Sequence, residues 1–531
     1  MAIDLKPEFP RQFNMVDYFV DSNLRDGRAD KIAIIQAAHP DGAAGKGRAE
    51  SRHTYAEVAS LVNRAGNGFL SLGLQAEQRF LTVLFDSPEF VATWFGGIKT
   101  GGVATQVNPL LNAEDYLYYL NYTKAPIAII DASCLERFES VLSDARYLKH
   151  LVVVQGDAGK HVAWDELIAN NSDQLECAPT DKDDPAVWLF TSGSTGKAKA
   201  ALHPHFHFPY NTECYAKRVV GYDESCLTVS VPNLFFGYAT GTNLMFPFAV
   251  GGTTLLFSDR PTPERLYELI GDYKPTFLTT VPTMIGKMLN APDEVKRDLS
   301  SLKNGVTAGE ALPQALYEQW FELTGVELLD GIGSAESFHI YISNYPGDVK
   351  FGSLGKIVPG YEARVCDDDG VELPDGEIGT LHVTGDSAAL MYWSDYAKST
   401  ATLRGGTIVS GDKFKRDSEG YYYFAGRVDD LLKVGGIFVA PQEIENCMLS
   451  HPAVAEVCVI SVRDESDLEV PRAYVVCSAG HSASDTLTSE LQNFVKDNLA
   501  RYKFPRQIAY LDAMPKNDRG KIDRKALKAD A

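Results

Sequence analysis

Thr191-Ser192-Gly193-Ser194-Thr195-Gly196-Lys197 is the segment whose residue types most directly suggest chemistry. Glycines let backbone N–H groups close around an anion, and the hydroxyls and the lysine add donors, which is the composition of a polyphosphate-binding loop. The segment follows the apolar run Ala186–Phe190, which reads as a buried strand. A flexible surface turn is the plain alternative. A run of only Gly, Ser, Thr and Lys directly after a buried strand argues against it. The loop does not fit GxxxxGK[ST], because Gly193 and Gly196 stand too close together, and a P-loop kinase is disfavoured.

Other residues gain meaning from their setting. Glu336 follows Gly331-Ile332-Gly333 and carries a hard oxygen suited to magnesium, although a lone glutamate is usually surface charge. Lys521 sits in a basic tail with Lys516, Arg519, Arg524, Lys525 and Lys528, which composition alone reads as a solvated face. Phe235, Phe236 and Tyr238 read equally as core aromatics or as apolar walls for a flat ligand. His339 reads as a core histidine satisfying a backbone group, or as a pocket residue meeting a ring substituent. His203-Pro204-His205-Phe206-His207 invites a metal reading, since alternate residues of a strand face one way. No carboxylate or cysteine sits nearby at ligand spacing, so the segment reads as the exit from the phosphate loop.

The elements that must position these residues are those of an α/β protein. Short apolar runs without polar alternation (Phe80–Phe85, Ile127–Ile130, Leu151–Val154, Leu227–Val231, Thr253–Phe257, Phe277–Val281) suggest strands buried on both faces, as in parallel sheets. Helical segments alternate with them: Ser87–Lys99, Pro263–Asp272, Pro313–Thr324. The charge-free stretch Ser225–Ser258 contains prolines, asparagines and four glycines, so it reads as buried α/β core and not as a membrane span. Ala37–Glu50 reads as an exposed loop. Towards the end, a helix at Pro441–Leu449, strands at Val454–Val462, Ala473–Cys477 and Ile508–Leu511, and a helix at Thr486–Leu499 suggest a small separate α+β domain. The expected division is residues 1–428, a large domain of α/β layers, and 429–531, a small mobile one.

Composition narrows the partners. With 531 residues the chain has room for two to four domains, and a net charge of −21 argues against general nucleic-acid or anionic-membrane binding. Eight cysteines are spread singly with no CxxC pair, which removes zinc-ribbon and thioredoxin readings. Asp4, Lys6 and Glu8 interrupt Met1–Val16, so no signal peptide is visible and a cytoplasmic location is expected. A monomer or a homodimer is expected.

Thr191–Lys197, continued by Ala198-Lys199, resembles the phosphate loop of the adenylate-forming superfamily of acyl- and aryl-CoA synthetases, luciferases and peptide-synthetase adenylation domains. Four further stretches agree in order: Gly309-Glu310-Ala311-Leu312-Pro313; Asp330-Gly331-Ile332-Gly333-Ser334-Ala335-Glu336; Ser410-Gly411-Asp412 with Gly426-Arg427-Val428-Asp429-Asp430; and Pro515-Lys516-Asn517-Asp518-Arg519-Gly520-Lys521. Leu234–Gly241, Asp330–Ser334 and His339-Ile340 are most similar to bacterial benzoate-CoA ligases and their hydroxy- and aminobenzoate relatives.

The resemblance implies ATP, Mg2+ and coenzyme A acting on a small aryl carboxylate. The acid attacks the α-phosphate to give an acyl-adenylate and pyrophosphate, and the CoA thiol then displaces AMP. Two anions must meet, so charge neutralisation and alignment dominate the first barrier. By resemblance Gly309, Glu310 and Ala311 flank adenine together with Asp330, Gly331 and Ile332. Asp412 binds ribose, Arg427 donates to ribose or phosphate, Glu336 binds the metal, and Lys521 bridges carboxylate and phosphate. Asp429 is the hinge, and Lys433, Gly435 and Gly436 serve the thioester step. Phe236, Tyr238, Ala239, Ala308, Gly333, His339 and Ile340 line the acid pocket.

Three residues depart from the family pattern. Ala335 replaces a threonine that contacts the α-phosphate, so a slower or weaker enzyme is expected, with Ser334 or Thr195 able to compensate. Ala198 and Ala200 replace a proline and a glycine; Ala200 takes a positive φ only at a cost. Two other readings remain open: an adenylation enzyme that loads a carrier-protein thiol, and a nucleotide sensor without turnover. A luciferase-like oxygenase is weaker, because the chain closes Lys528-Ala529-Asp530-Ala531 with no peroxisomal ending.

Overall fold

A computed structural model describes residues 6–40, 49–192, 197–310, 312–427, 432–434, 437–439, 441–463, 469–499, 503–516 and 522–529. The apolar runs become strands of two large sheets. One has seven strands in the order Val162–Ala163, His150–Val154, Ile127–Asp131, Arg79–Val83, Val103–Gln106, Pro185–Ser192, Ala198–Pro204. Every neighbouring pair is parallel except the last. The other has nine: Lys356–Ile357, Ile340–Ser343, Leu328–Gly333, Asn304–Ala308, Phe277–Thr280, Leu227–Ser230, Thr253–Leu256, Ile32–Gln36, Ser51–Thr54. Its central pairs are parallel and its outer ones antiparallel.

The helices Tyr55–Ser71 and Pro88–Lys99 pack into the core that both sheets share. They begin where chemistry permits. Thr54 and Glu57 form a reciprocal cap on the first, and Ser87 accepts from Phe90 N on the second, with Pro88 in the first turn. Their contact needs glycine: a Cβ at Gly96 would lie 2.8 Å from the Val62 carbonyl.

A five-stranded sheet (Tyr361–Cys366, Gly379–Gly385, Leu403–Arg404, Thr407–Arg416, Tyr422–Arg427) adds a third layer. The C-terminal elements have their own core: strands Val454–Arg463, Glu469–Cys477 and Gln507–Tyr510, with helices Pro441–Leu449 and Asp485–Asn498. Arg524 opens the helix Arg524–Ala529 in the basic tail. It is not simply solvated, since it donates twice to the buried Glu445 carboxylate and once to Val459 O.

The α/β class and the large-plus-small organisation agree with the sequence reading. Ser225–Ser258 folds as strand, helical turns and strand, and among the described residues no helix is long and apolar enough to cross a membrane. The exposed-loop reading of Ala37–Glu50 needs one correction: Ala37 is buried, because its N–H continues the sheet to Leu256 O.

Candidate active site

The phosphate-loop segment is flanked by the two antiparallel strands of the seven-stranded sheet, with Thr191 opposite Lys199 and Ser192 opposite Ala198. The second strand is stitched on its far side to residues 390–393, through Leu390 N to Leu202 O, Leu202 N to Met391 O and Trp393 N to Ala200 O, at 2.9–3.0 Å. Ala200 is fully buried in this strand opposite Phe190 and is not among the residues with positive φ. Alanine therefore meets no conformational penalty there. Lys197 is exposed and its Nζ lies 5.2 Å from the Tyr118 ring centroid.

Glu336 sits in the single turn Ala335–Ser337 that follows the strand Leu328–Gly333. The turn is held from several sides. Tyr392 donates its hydroxyl to Glu336 Oε1 at 2.6 Å. Ala389 N–H donates to the Glu336 carbonyl at 2.7 Å, Ser387 Oγ to Ser337 O at 2.9 Å, and His203 Nε2 to Ala335 O at 2.7 Å. Burial, followed by the Glu336 charge, drives the Tyr392 phenol well above its ordinary pKa, so it stays a donor. Asp412 and Glu336 lie near enough to Tyr341 that, after burial, their charges raise its phenol as well. Beside Ala335, the buried Ser334 hydroxyl donates to no acceptor among the described residues, which leaves it available for the compensating role.

The acid-pocket residues also come together. Ala308 pairs with Gly331, and Gly333 with Ile340, across adjacent strands. A Cβ at Gly333 would lie 2.4 Å from the His339 carbonyl. His339 is buried and its Nε2 donates to Tyr238 O at 3.0 Å, while its ring lies among Tyr215, Tyr238, Phe246 and Phe338. Burial pulls its pKa down to about 4, so the ring is neutral. The core reading of His339 is met, since it satisfies a backbone carbonyl; its Nδ1, like the Tyr238 hydroxyl, is buried without a partner among the described residues. Ala239 is buried in the turn Gly237–Thr240, Phe236 precedes it half-buried, and Phe235 belongs to the core.

Two side chains hold this loop, Asp86 just past the strand Arg79–Val83 and Gln106 at the end of the strand Val103–Gln106. Asp86 accepts from Leu234 N at 2.8 Å, and Gln106 donates to Leu234 O at 3.0 Å and Thr240 Oγ1 at 2.8 Å. Burial lifts the Asp86 carboxyl to about 7 despite the Leu234 donor. Sequence reasoning missed Asp86, Gln106 and Tyr392. A single Asp, Gln or Tyr carries no local signal, and each partner is distant along the chain.

Two cofactor candidates are engaged with protein. The Glu310 carboxylate accepts from Thr283 N and Oγ1, at the start of the helix Pro282–Leu289. Asp330 is buried, its carboxyl raised by burial while it accepts from Leu312 N and Gly331 N. Each thereby fixes the segment around Gly309 and Leu312 from behind. Ile332 continues the same strand, opposite Ile342. Asp412 stands opposite Arg427 in the five-stranded sheet. Gly193, Ser194, Thr195, Gly196, Ala311, Asp429, Gly435, Gly436 and Lys521 lie outside the described residues, as do the side chains of Ser192, Arg427 and Lys433.

The histidine run is not part of a cluster of three or more residues with metal-ligand spacing among the described residues. Among the described residues the one cluster with metal-ligand spacing is Asp17, Asp21 and Cys177, and Lys99 already sits 2.8 Å from Asp21.

A family model described as AMP-binding enzyme matches residues 25–393, and one described as AMP-binding enzyme C-terminal domain matches residues 443–521. The chain is 40% identical over 524 residues to a benzoate–CoA ligase of Thauera aromatica, covering 98% of this chain and 97% of the relative. Among solved structures it is similar to an anthranilate CoA ligase in complex with anthranoyl-AMP, with a TM-score of 0.91, 36% identity and 98% of both chains covered. A benzoate CoA ligase from Burkholderia xenovorans LB400 superposes with a TM-score of 0.87 at 35% identity, covering 97% of this chain and 99% of that one.

Proposed function

The chain belongs to the AMP-binding enzyme family, and from that premise we propose that it is an AMP-forming aryl-CoA ligase acting on benzoate or a substituted benzoate. The observation that supports this reading is that the strand leaving the glycine-rich loop is tied to the Glu336 turn through His203 and Ala335 O, next to the paired strands that carry Ala308, Gly333 and Ile340.

ATP and coenzyme A are the co-substrates. Glycine-loop donors cradle the phosphates, and Asp412 and Arg427 hold the ribose end. The flat acid lies against Tyr238, Ala239, Ala308, Gly333, His339 and Ile340. Its carboxylate attacks the α-phosphorus and pyrophosphate leaves; the CoA thiol then attacks the acyl carbon and AMP leaves. Lys521 lines up the two anions in the first half. The donor set fits magnesium: Glu336 keeps a hard oxygen beside the one engaged by Tyr392. Bound there, magnesium would offset phosphate charge. The residues near Asp429 form the boundary between domains 1–428 and 429–531, and rotation there exchanges Lys521 for the Lys433–Gly436 face. We place the enzyme in the cytoplasm, in keeping with eight free cysteines.

The test is AMP release with ATP, CoA and a panel of benzoate, hydroxybenzoates, aminobenzoates, cyclohexane carboxylate and acetate. Release that needs both a benzoate and CoA is expected. Release without CoA favours carrier-thiol loading, and no release with any acid overturns the proposal.

A further inference from the structure

One ring of the histidine run, His203, is aimed at the Glu336 turn, and a second, His207, is aimed at the first. His203 is fully buried on the strand Ala198–Pro204, and His207 opens the next helix. His203 Nε2 is 2.7 Å from Ala335 O, and its Nδ1 is 3.0 Å from His207 Nδ1. A carbonyl oxygen can only accept, so His203 carries its proton on Nε2. A neutral imidazole has one N–H, so His203 Nδ1 is bare and must accept. His207 therefore carries its proton on Nδ1. Burial keeps both rings neutral, which this arrangement needs.

We infer that His203 and His207 form a tautomer-locked pair that positions the Glu336 turn against the strand leaving the phosphate loop. The inference deepens the ligase reading and rests on Glu336 as the magnesium ligand. His203 is the positioning residue, and His207 acts by holding it in the tautomer that can donate. Phe208 packs on the His203 ring with centroids 5.7 Å apart and limits its rotation. His205 supplies an internal control. Its Nδ1 accepts from Met15 N at 3.2 Å, away from the Glu336 turn, so its proton is on Nε2.

The experiment uses the full chain, with histidine labelled at both ring nitrogens and assigned through single-histidine variants. Long-range proton–nitrogen correlation should show His207 as the Nδ1–H form and His203 and His205 as Nε2–H, without any metal present. His203→Leu should raise the KM for MgATP about tenfold, with a smaller change in kcat. His203→Gln, which keeps a donor near the Nε2 position, should recover most of that loss. His207→Asn, which keeps a donor near Nδ1, should be milder than His207→Leu. The two leucine changes together should be no worse than His203→Leu alone, since they break one unit. His205→Gln should leave the KM for MgATP as it is. His207 found as Nε2–H overturns the pair. So does a correctly melting His203→Leu with the KM for MgATP of the parent. A parent enzyme that turns over without magnesium overturns the Glu336 reading as well, and that outcome is recognised by lying in the parent itself.

Discussion

Tyr392→Phe isolates the contact between the Tyr392 hydroxyl and Glu336 Oε1. Tyr392 is 3% exposed, and its backbone pairs with Ala201, so phenylalanine keeps the ring and the pairing and removes one oxygen. A hydrogen bond to a charged group contributes about 1.5–3 kcal/mol. Glu336 is only half-buried and water can partly replace the lost donor, which favours the lower end. With about 1.4 kcal/mol per factor of ten, kcat/KM for MgATP should fall about tenfold. The loss should shrink as magnesium is raised, because a freely rotating carboxylate can still be captured by excess metal. AMP release at fixed benzoate and CoA, with MgATP and free magnesium varied separately, measures this, and thermal unfolding controls for the fold. A variant within twofold of the parent at every magnesium concentration would refute the idea that this contact orients the carboxylate.

Further outcomes follow from other contacts. Glu445→Ala strips Arg524 of its buried partner; it should destabilise the C-terminal elements by about 3 kcal/mol, the low end for a broken buried pair because Arg524 is partly open to water. Hydrogen exchange on Val454–Arg463 measures it, and unchanged protection would count against the assignment. Asp86 has a folded pKa near 7, above the ordinary carboxyl range, so the folded chain retains a proton that the unfolded chain has already released. Its contribution to stability is therefore fully present below the unfolded value, about 4, and is lost as pH rises through about 7. Asp86→Asn should melt higher than the parent above pH ~7, with the gap closing towards pH ~4; a gap independent of pH would contradict this. Lys521→Ala should abolish acid-dependent pyrophosphate exchange yet spare thioester formation from pre-made aroyl-adenylate, and an equal fall in both halves would refute the two-face account. Asp429→Pro should hold the adenylating pose, so unimpaired thioester formation in that variant would argue against the hinge.

The chain alone determined what is local. Buried runs such as Ile127–Asp131 and helix starts such as Ser87 and Pro263 are readable because side-chain period and capping act over a few residues. The glycine-rich loop and the four stretches after it are readable for the same reason: each is a contiguous run of residues. Only tertiary structure decided what holds those stretches in place. Tyr392 is 56 residues from Glu336, His203 is 132 from Ala335, and Asp86 is 148 from Leu234. It also settled Ala200, whose extended strand backbone does not require glycine. A hydrogen bond depends on distance and direction, and across such separations both are set by how the two large sheets pack, which no spacing along the chain encodes.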